Sequence, residues 1–357
     1  MVDEREADLL RVLRWVAPGT PLREGLENIL RARTGALIVV GDSPQVLALV
    51  EGGFRIDAEF QPSYLYELAK MDGAIILSHD ARRILYANAT LVPDPAIPST
   101  ETGMRHRTAE RVARQTGELV IAVSQRRNII SLYRGSMRYV LRDTGILLTK
   151  ANQALQTLEK YRAVLSQALV NLSALELEDL VTVTDVAMVL QRTELVTRIV
   201  REIERYIIEL GVEGRLVAMQ LEELVTGVVE EGELIIRDYL QPGEGRTPES
   251  VREALAASGS EIMDLTAIAR ALGFTGGQAL LETPVTPRGY RILRKIPRLP
   301  MAVIDNLVNH FQNLPAILRA TPEELDEVEG IGEARAKAIR EGLRRLRDQV
   351  MLERHMA

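Results

Sequence analysis

The pattern of apolar and polar positions changes grammar twice along the chain. Up to residue 142, short apolar runs alternate with helical stretches. GALIVVG (35–41) is an apolar run closed by glycine at both ends, the pattern of a strand buried on both faces. DGAIILS (72–78) is another, followed after a turn by RRILYANATLV (82–92); LVIAVS (119–124), NIISLYRG (128–135) and SMRYVLR (136–142) complete the strand-like set. PSYLYELAKM (62–71) reads as a short helix. MRHRTAERVARQTG (104–117) reads as a longer one that ends on a C-capping glycine. The alternation predicts a mixed α/β domain whose strands need cover on both sides.

From Ile146 to Leu210 there is neither Gly nor Pro. Leu155, Leu158, Tyr161, Leu165, Leu169, Leu172 and Leu175 recur at three- and four-residue steps, an amphipathic helical stripe. VTVTD (181–185) reads as a break, with Thr182 or Thr184 as the next N-cap. A second helix runs to Gly211, a third covers 214–240, and QPGEGRTPES (241–250) is a polar loop. The last stretch is helical again but closely punctuated. Thr321-Pro322-Glu323-Glu324 is a capping box with Pro at the first helical position, and Glu329-Gly330-Ile331-Gly332-Glu333 is a tight turn between a short helix and a long one. The reading is a multidomain α+β chain: a mixed α/β domain over 1–143, a helical spine over 144–280 and an all-α domain over 281–357.

Composition narrows the chemistry. The chain has 357 residues, enough for two or three domains at roughly 150 residues each. There is no Cys, which excludes disulfides, zinc ribbons, Fe–S clusters and thiol nucleophiles. The four His (His79, His106, His310, His355) have no metal-ligand spacing. The charged N-terminal stretch is no signal peptide, and no run is apolar enough to span a membrane, so cytoplasmic residence, at the nucleoid if DNA is bound, is expected. Net charge is −6 but uneven: residues 1–142 carry 19 basic and 17 acidic side chains, 143–280 carry 12 and 22, and 281–357 carry 13 and 11. An acidic middle between mildly basic ends makes the whole-chain charge a poor guide to partners.

Three features of the first domain point to a nucleotide. Asp72-Gly73-Ala74 opens a buried strand, Met104-Arg105-His106-Arg107-Thr108 opens a helix, and Ser124-Gln125-Arg126-Arg127-Asn128 joins two strands. From Thr102 to Arg142 there are nine Arg against Glu110 and Glu118. Arg forks and a helix N-terminus suit a polyphosphate. An aspartate beside that strip implies a divalent cation, Mg²⁺ or Mn²⁺, between it and the phosphates. Taken singly, a D-G pair is a turn and an R-H-R run is a solvated face; the signal lies in the combination. A P-loop is absent.

At the other end, LRATPEELDEVEGIGEARAKAIREGL (318–343) resembles the helix-hairpin-helix DNA-binding motif. Gly330 and Gly332 allow a tight turn whose N–H groups can approach a phosphate, Ile331 plugs the helix junction, and Arg335 and Lys337 add phosphate contacts. GYRILRKIPRLPMAVIDNLV (289–308) resembles a degenerate second hairpin, with IPRLP in place of the glycine turn; Arg288, Arg291, Arg294, Lys295 and Arg298 surround it without an acid. Such contacts read backbone and charge, so binding should be sequence-independent and salt-sensitive.

Taken together, KMDGAIILS, NATLVPD, ETGMRHRTAERVARQTG and VSQRRNIISLY, followed by a helical spine and a hairpin end, resemble the DisA family of bacterial DNA integrity scanning proteins, which are diadenylate cyclases. The resemblance covers essentially the whole chain, VAPGTPLREGLENILRARTGALIVVG (16–41) included. It implies condensation of two ATP into cyclic di-AMP with release of two pyrophosphates. Asp72 would hold the metal or help deprotonate a 3′-hydroxyl. Arg105 and Arg107 would hold phosphates, and His106 would sit by metal or phosphates. Thr108, Ser124 and Arg127 would contact phosphate or ribose, Gly73 and Ala74 would pack closely on the nucleotide, and Leu91 would lie near the adenine. Met104 joins the nucleotide-binding set, although this position and Gln125 depart from forms expected in relatives, which weakens side-chain roles there. The resemblance further implies face-to-face domains within a homo-octamer, binding of branched DNA such as Holliday junctions that suppresses synthesis, and recombination or repair proteins as partners. Two rival readings remain: a non-catalytic DNA-binding scaffold with a nucleotide-sensing domain, and a repair nuclease, which would need a carboxylate cluster that residues 1–142 lack.

Overall fold

The computed structural model describes residues 2–277 and 279–356. The chain forms two compact units: the chain up to Gln153 together with Ile203–Met219, and Ala154–Glu202 together with Gln220 onward.

The first unit is built on one mixed sheet. Helices α1 (Val2–Trp15) and α2 (Pro21–Arg31) precede β1 (Ala36–Val40). A short α3 (Pro44–Leu47), β2 (Val50–Glu51), β3 (Phe54–Glu59) and α4 (Pro62–Leu68) lead to β4 (Ala74–Leu77) and β5 (Arg83–Leu91). Then come α5 (Met104–Thr116), β6 (Leu119–Ser124), β7 (Ile129–Arg134) and β8 (Met137–Val140). The strand order is β2-β5-β4-β1-β6-β7-β8, with β3 also on β5. β1 runs parallel to β4 and antiparallel to β6.

The apolar runs read from the sequence are these strands. Every residue of β1 and β4 is buried, because successive side chains feed opposite cores. Ala36, Ile38, Val40, Ile75 and Leu77 join Leu13, Leu26, Ile29 and Leu65 of the α1/α2/α4 layer. Leu37, Val39, Ala74 and Ile76 join Ala109, Val112 and Ala113 of α5. Two faces must be covered, so neither shows polar alternation. Gly117 takes φ +75° and ends α5, as its place after the helical stretch predicts. The edge strands β2 and β3 are short or exposed, and the hydrophobic pattern does not announce them.

The helical spine begins with α6 (Thr144–Glu178) and α7 (Val183–Leu210), followed by α8 (Arg215–Val225) and α9 (Val228–Tyr239). Thr182 caps α7: its hydroxyl accepts from the Asp185 N–H, and Asp185 accepts from the Thr182 N–H in return. Thr184 instead donates to the Leu281 carbonyl. The stripe of α6 keeps Leu155, Leu158, Leu165 and Leu172 buried but leaves Tyr161 41% exposed. Arg162 turns inward there and caps the end of α8 through the carbonyls of Leu224 and Thr226. The single helix expected over 214–240 is two, broken where Gly227 takes φ +78°. The polar loop is shorter than expected, because Thr247 and Ser250 form a capping box that starts α10 (Pro248–Ala257).

After α11 (Leu265–Ala271), the C-terminal helices are α12 (Tyr290–Arg294), α13 (Met301–Phe311), α14 (Leu314–Arg319), α15 (Pro322–Asp326) and α16 (Glu333–Met356). Their core gathers Ile292, Leu293, Leu299, Ile304, Leu307, Leu325, Ile331 and Ile339. The fold is therefore the expected one: a mixed α/β domain, a helical spine and an all-α end. Among the described residues no helix is long and apolar enough to cross a membrane.

Candidate functional site

Sheet register assembles the site. Ile38 lies opposite Ile75, and Ala36 opposite Val123. The segment entering β1, the turn entering β4 and the end of β6 therefore reach the same edge of the sheet. Gly35, Asp72 and Ser124 stand there, and α5 begins above them. A cleft of about 700 Å³ opens at this edge, lined by Asp72, Thr102, Gly103, Met104, Arg105, His106, Val123, Ser124, Gln125, Arg126 and Arg127.

The Asp72 carboxylate is fully exposed and accepts from Arg105 Nη2 at 2.8 Å. Arg105 reaches it by passing over Gly35: a Cβ there would lie 1.9 Å from Arg105 Nη1. The N-cap of α5 is Gly103, which offers no side chain to the first N–H groups, so the positive end of the helix faces the cleft uncapped. Glu110, buried, accepts from the Ser99 hydroxyl, the Thr100 N–H and Arg114, and so ties the segment before α5 to the helix. Arg127 Nη2 approaches Thr102 Oγ1 at 3.5 Å, while the Arg127 N–H donates to Ser124 Oγ.

His106 lies beneath these groups. Its Nδ1 is 3.0 Å from Tyr133 Oη. Tyr133 Oη donates to Glu101 Oε1 at 2.8 Å, and Arg138 Nε donates to the same oxygen. Burial works against the Glu101 charge, yet the bonds from Tyr133 and Arg138 hold its carboxyl below the ordinary range. Burial also pushes the Tyr133 hydroxyl up to about 12 and keeps the His106 imidazole on the neutral side, with Glu101 opposing and nearby Arg side chains assisting.

Of the residues singled out from the sequence, Asp72, Met104, Arg105, His106, Ser124 and Arg127 share the cleft. Gly73, Ala74, Leu91, Arg107 and Thr108 are not among its lining residues. A Cβ at Gly73 would strike the Asn88 backbone at 2.3 Å, so its close packing is against β5. Ala74 and Leu91 lie in the α5-side core, and Arg107 turns to the Glu101 carbonyl. The sequence reading missed Glu101, Tyr133 and Arg138, and it missed Gly35 and Asn88. Asn88 takes φ +52° inside β5, and its side chain accepts the Gly73 N–H. An Asn in the middle of a strand was the signal available for it.

Among the described residues, no three His, Asp or Glu side chains gather as a metal cage. One exposed carboxylate suits a Mg²⁺ or Mn²⁺ ion that takes its other positions from water and substrate phosphates. Asp72 fits that donor set.

The C-terminal helices form two similar hairpins. Arg298 and Gly330 both have positive φ, +62° and +84°. Leu299 and Ile331 follow, both buried. Pro300 and Gly332 come next, and the carbonyl of each accepts the N–H groups three and four residues on, at Val303 and Ile304 and at Arg335 and Ala336. IPRLP is thus the geometric counterpart of the glycine turn. The basic run before it is mostly engaged internally. Arg291 is fully buried on Glu176 and Ser173, and Lys295 also donates to Ser173. Arg288 binds backbone carbonyls of Arg237 and Leu240, and Arg294 pairs with Glu230. Arg298 alone of the five is exposed without such a contact among the described residues. In the second hairpin, Arg335 folds back onto the Gly330 carbonyl and Lys337 pairs with Glu333, while Gly332 is open to solvent.

Comparison with known proteins places this geometry in a family. The model described as "DisA bacterial checkpoint controller nucleotide-binding" matches residues 23–137, and that described as "DisA bacterial checkpoint controller linker region" matches residues 141–281. A DNA integrity scanning protein DisA from Symbiobacterium thermophilum is 64% identical, over 99% of this chain and 100% of its own length. This chain belongs to the DisA family. Relatives of the same name from Carboxydothermus hydrogenoformans (61% identical) and Clostridium botulinum (56%) each align over 98% of this chain and 99% of their own. Every residue lining the cleft falls inside the DisA nucleotide-binding match, and the acidic helices are the DisA linker region.

Proposed function

We propose that this chain is a diadenylate cyclase that joins two ATP into cyclic di-AMP and answers to branched DNA. The observation that carries the reading is the meeting of Asp72 with Arg105, Arg126, Arg127 and the uncapped start of α5 in one cleft. The reaction asks for phosphate binding and alignment, and for no protein nucleophile. The 3′-oxygen of each ATP bonds to the α-phosphorus of the other, the α–β phosphoanhydride bonds break, and two pyrophosphates leave with the hydroxyl protons passing to solvent or base.

The chain's own groups divide this work. Arg105, Arg126, Arg127 and the first N–H groups of α5 bind phosphate oxygens. Asp72 is the residue that would hold Mg²⁺ or Mn²⁺, an ion that neutralises phosphate charge when bound. In the ATP complex Arg105 exchanges its carboxylate partner for phosphate. Each cleft takes one ATP, so a second copy must present the other, and the pairing is face to face. A homo-octamer provides such pairs. The tandem hairpins support a second activity, contact with the backbone of branched DNA such as a Holliday junction through Arg298, Gly330–Gly332 and neighbouring Arg335 and Lys337. Occupied hairpins are expected to lower synthesis.

Asp72→Asn tests the reading. It should cut the rate of cyclic di-AMP formation by about 10²-fold or more while ATP-independent junction binding, followed by gel shift, is unchanged. An undiminished rate would remove Asp72 from the chemistry. Turnover that stays constant as junction DNA saturates the hairpins would remove the coupling.

A further inference from the structure

His106 stands between two phosphate-binding candidates, yet its surroundings give it a different task. Tyr133 has one hydroxyl proton, and it goes to Glu101 Oε1. Glu101 cannot return a proton, because Arg138 also donates to that oxygen and holds the carboxylate ionised. The short His106–Tyr133 contact must then be a donation from Nδ1–H to Tyr133 Oη. In a neutral imidazole this leaves Nε2 without a proton. That atom is buried, has no hydrogen-bond partner among the described residues, and belongs to a side chain that lines the cleft and is 8% exposed.

We propose that Arg138, Glu101 and Tyr133 are positioning residues that hold His106 in one tautomer, with its lone pair on Nε2. The inference rests on the nucleotide reading of the cleft and deepens it. A bare Nε2 repels phosphate oxygens, which offer only lone pairs. His106 therefore serves as an acceptor, for a ribose hydroxyl of the nucleotide or for the divalent cation, and phosphate binding falls to the arginines and α5. An orphaned buried acceptor is costly in the empty protein, and that cost is relieved when the cleft is filled. Partners of this kind around a histidine commonly contribute 10- to 100-fold to ligation or rate.

The direct test is ¹⁵N magic-angle-spinning NMR of the full-length protein labelled at histidine, with the His106 signal assigned by its loss in His106→Gln. The expected spectrum shows Nδ1 protonated and Nε2 bare at neutral pH. Protonated Nε2 overturns the proposal, whatever the protein synthesises. Adding α,β-methylene-ATP in EDTA, and then with diamagnetic Mg²⁺, separates the two acceptors: a shift of Nε2 without metal marks the hydroxyl, and a shift only with Mg²⁺ marks the cation. An Nε2 signal indifferent to both overturns the acceptor role. In the kinetic arm, Tyr133→Phe keeps the ring and removes the hydroxyl. It should lower kcat for cyclic di-AMP by about 10- to 100-fold, with a modest fall in thermal midpoint because Glu101 and the His106 Nδ1–H each lose a partner. Glu101→Gln, which still accepts from Tyr133, should retain more of the rate. A Tyr133→Phe kcat within about twofold of wild type contradicts the relay. Absence of any cyclic product from the wild type would instead contradict the cyclase reading and leave the tautomer to be read by NMR.

Discussion

At the scale of single residues, the site depends on atoms that are missing as much as on charges that are present. Arg105 reaches Asp72 through the space over Gly35. Gly35→Ala should push the guanidinium away and lower kcat/KM at least about tenfold, a loss of about 1.4 kcal/mol of transition-state binding. The displaced group is the end of a flexible side chain, so the melting temperature should barely move. Asn88 works on the other side of Asp72. It spends a left-handed backbone position to place its amide oxygen on the Gly73 N–H. Asn88→Ala meets both the strain and the lost bond, whereas Asn88→Gly keeps the conformation and loses only the bond. Thermal melts should rank wild type above Gly and Gly above Ala, and equal losses in Gly and Ala would show that the hydrogen bond alone carries the position. Asp72, Arg105 and Arg127 were legible in the sequence because their charge is itself the signal. Gly35 was not, because its requirement is set by an arginine far along the chain. Tyr133 looked like one more apolar position of a buried strand, and Glu101 stood just outside the arginine-rich stretch.

At the scale of elements, the apolar runs announced the central strands because burial on both faces leaves no polar position to blur them. The stripe on α6 failed by one step at Tyr161, where Arg162 turns inward to bind carbonyls that end α8. Side-chain capping by a long cation cannot be seen in a count of apolar positions. The same limit applies to the basic run of the first hairpin. Arg291 looks like a DNA contact in sequence, yet it lies fully buried on Glu176. Removing one member of a buried ion pair strands the other. Arg291→Ala should therefore cost about 3–5 kcal/mol of stability in denaturant unfolding. Arg298→Ala should leave stability alone, weaken junction binding, and reduce the slope of log K against log salt by about 1. Equal effects of the two variants on stability would contradict this division of the run. The pairing of Arg298 with Gly330 in positive φ was invisible in composition, since one turn uses glycine and the other does not.

At the scale of the whole molecule, the uneven charge is the feature that composition alone would have hidden. In the sequence of a net negative chain, the residues of an arginine-rich cleft come first, those of a pair of hairpins last, and between them lie acidic segments that match the DisA linker region. Each product of the proposed reaction needs two copies of the chain, so specific activity should fall on dilution below the assembly constant and recover on concentration. A rate per subunit independent of concentration across the range where light scattering shows dissociation would contradict paired clefts. The most direct test of the central claim is incubation of the purified chain with ATP and Mg²⁺ or Mn²⁺, with products resolved by mass spectrometry. The account predicts a species with the mass of cyclic di-AMP and two pyrophosphates released for each one formed. Folded, assembled protein that yields only ADP, or no product, would contradict it.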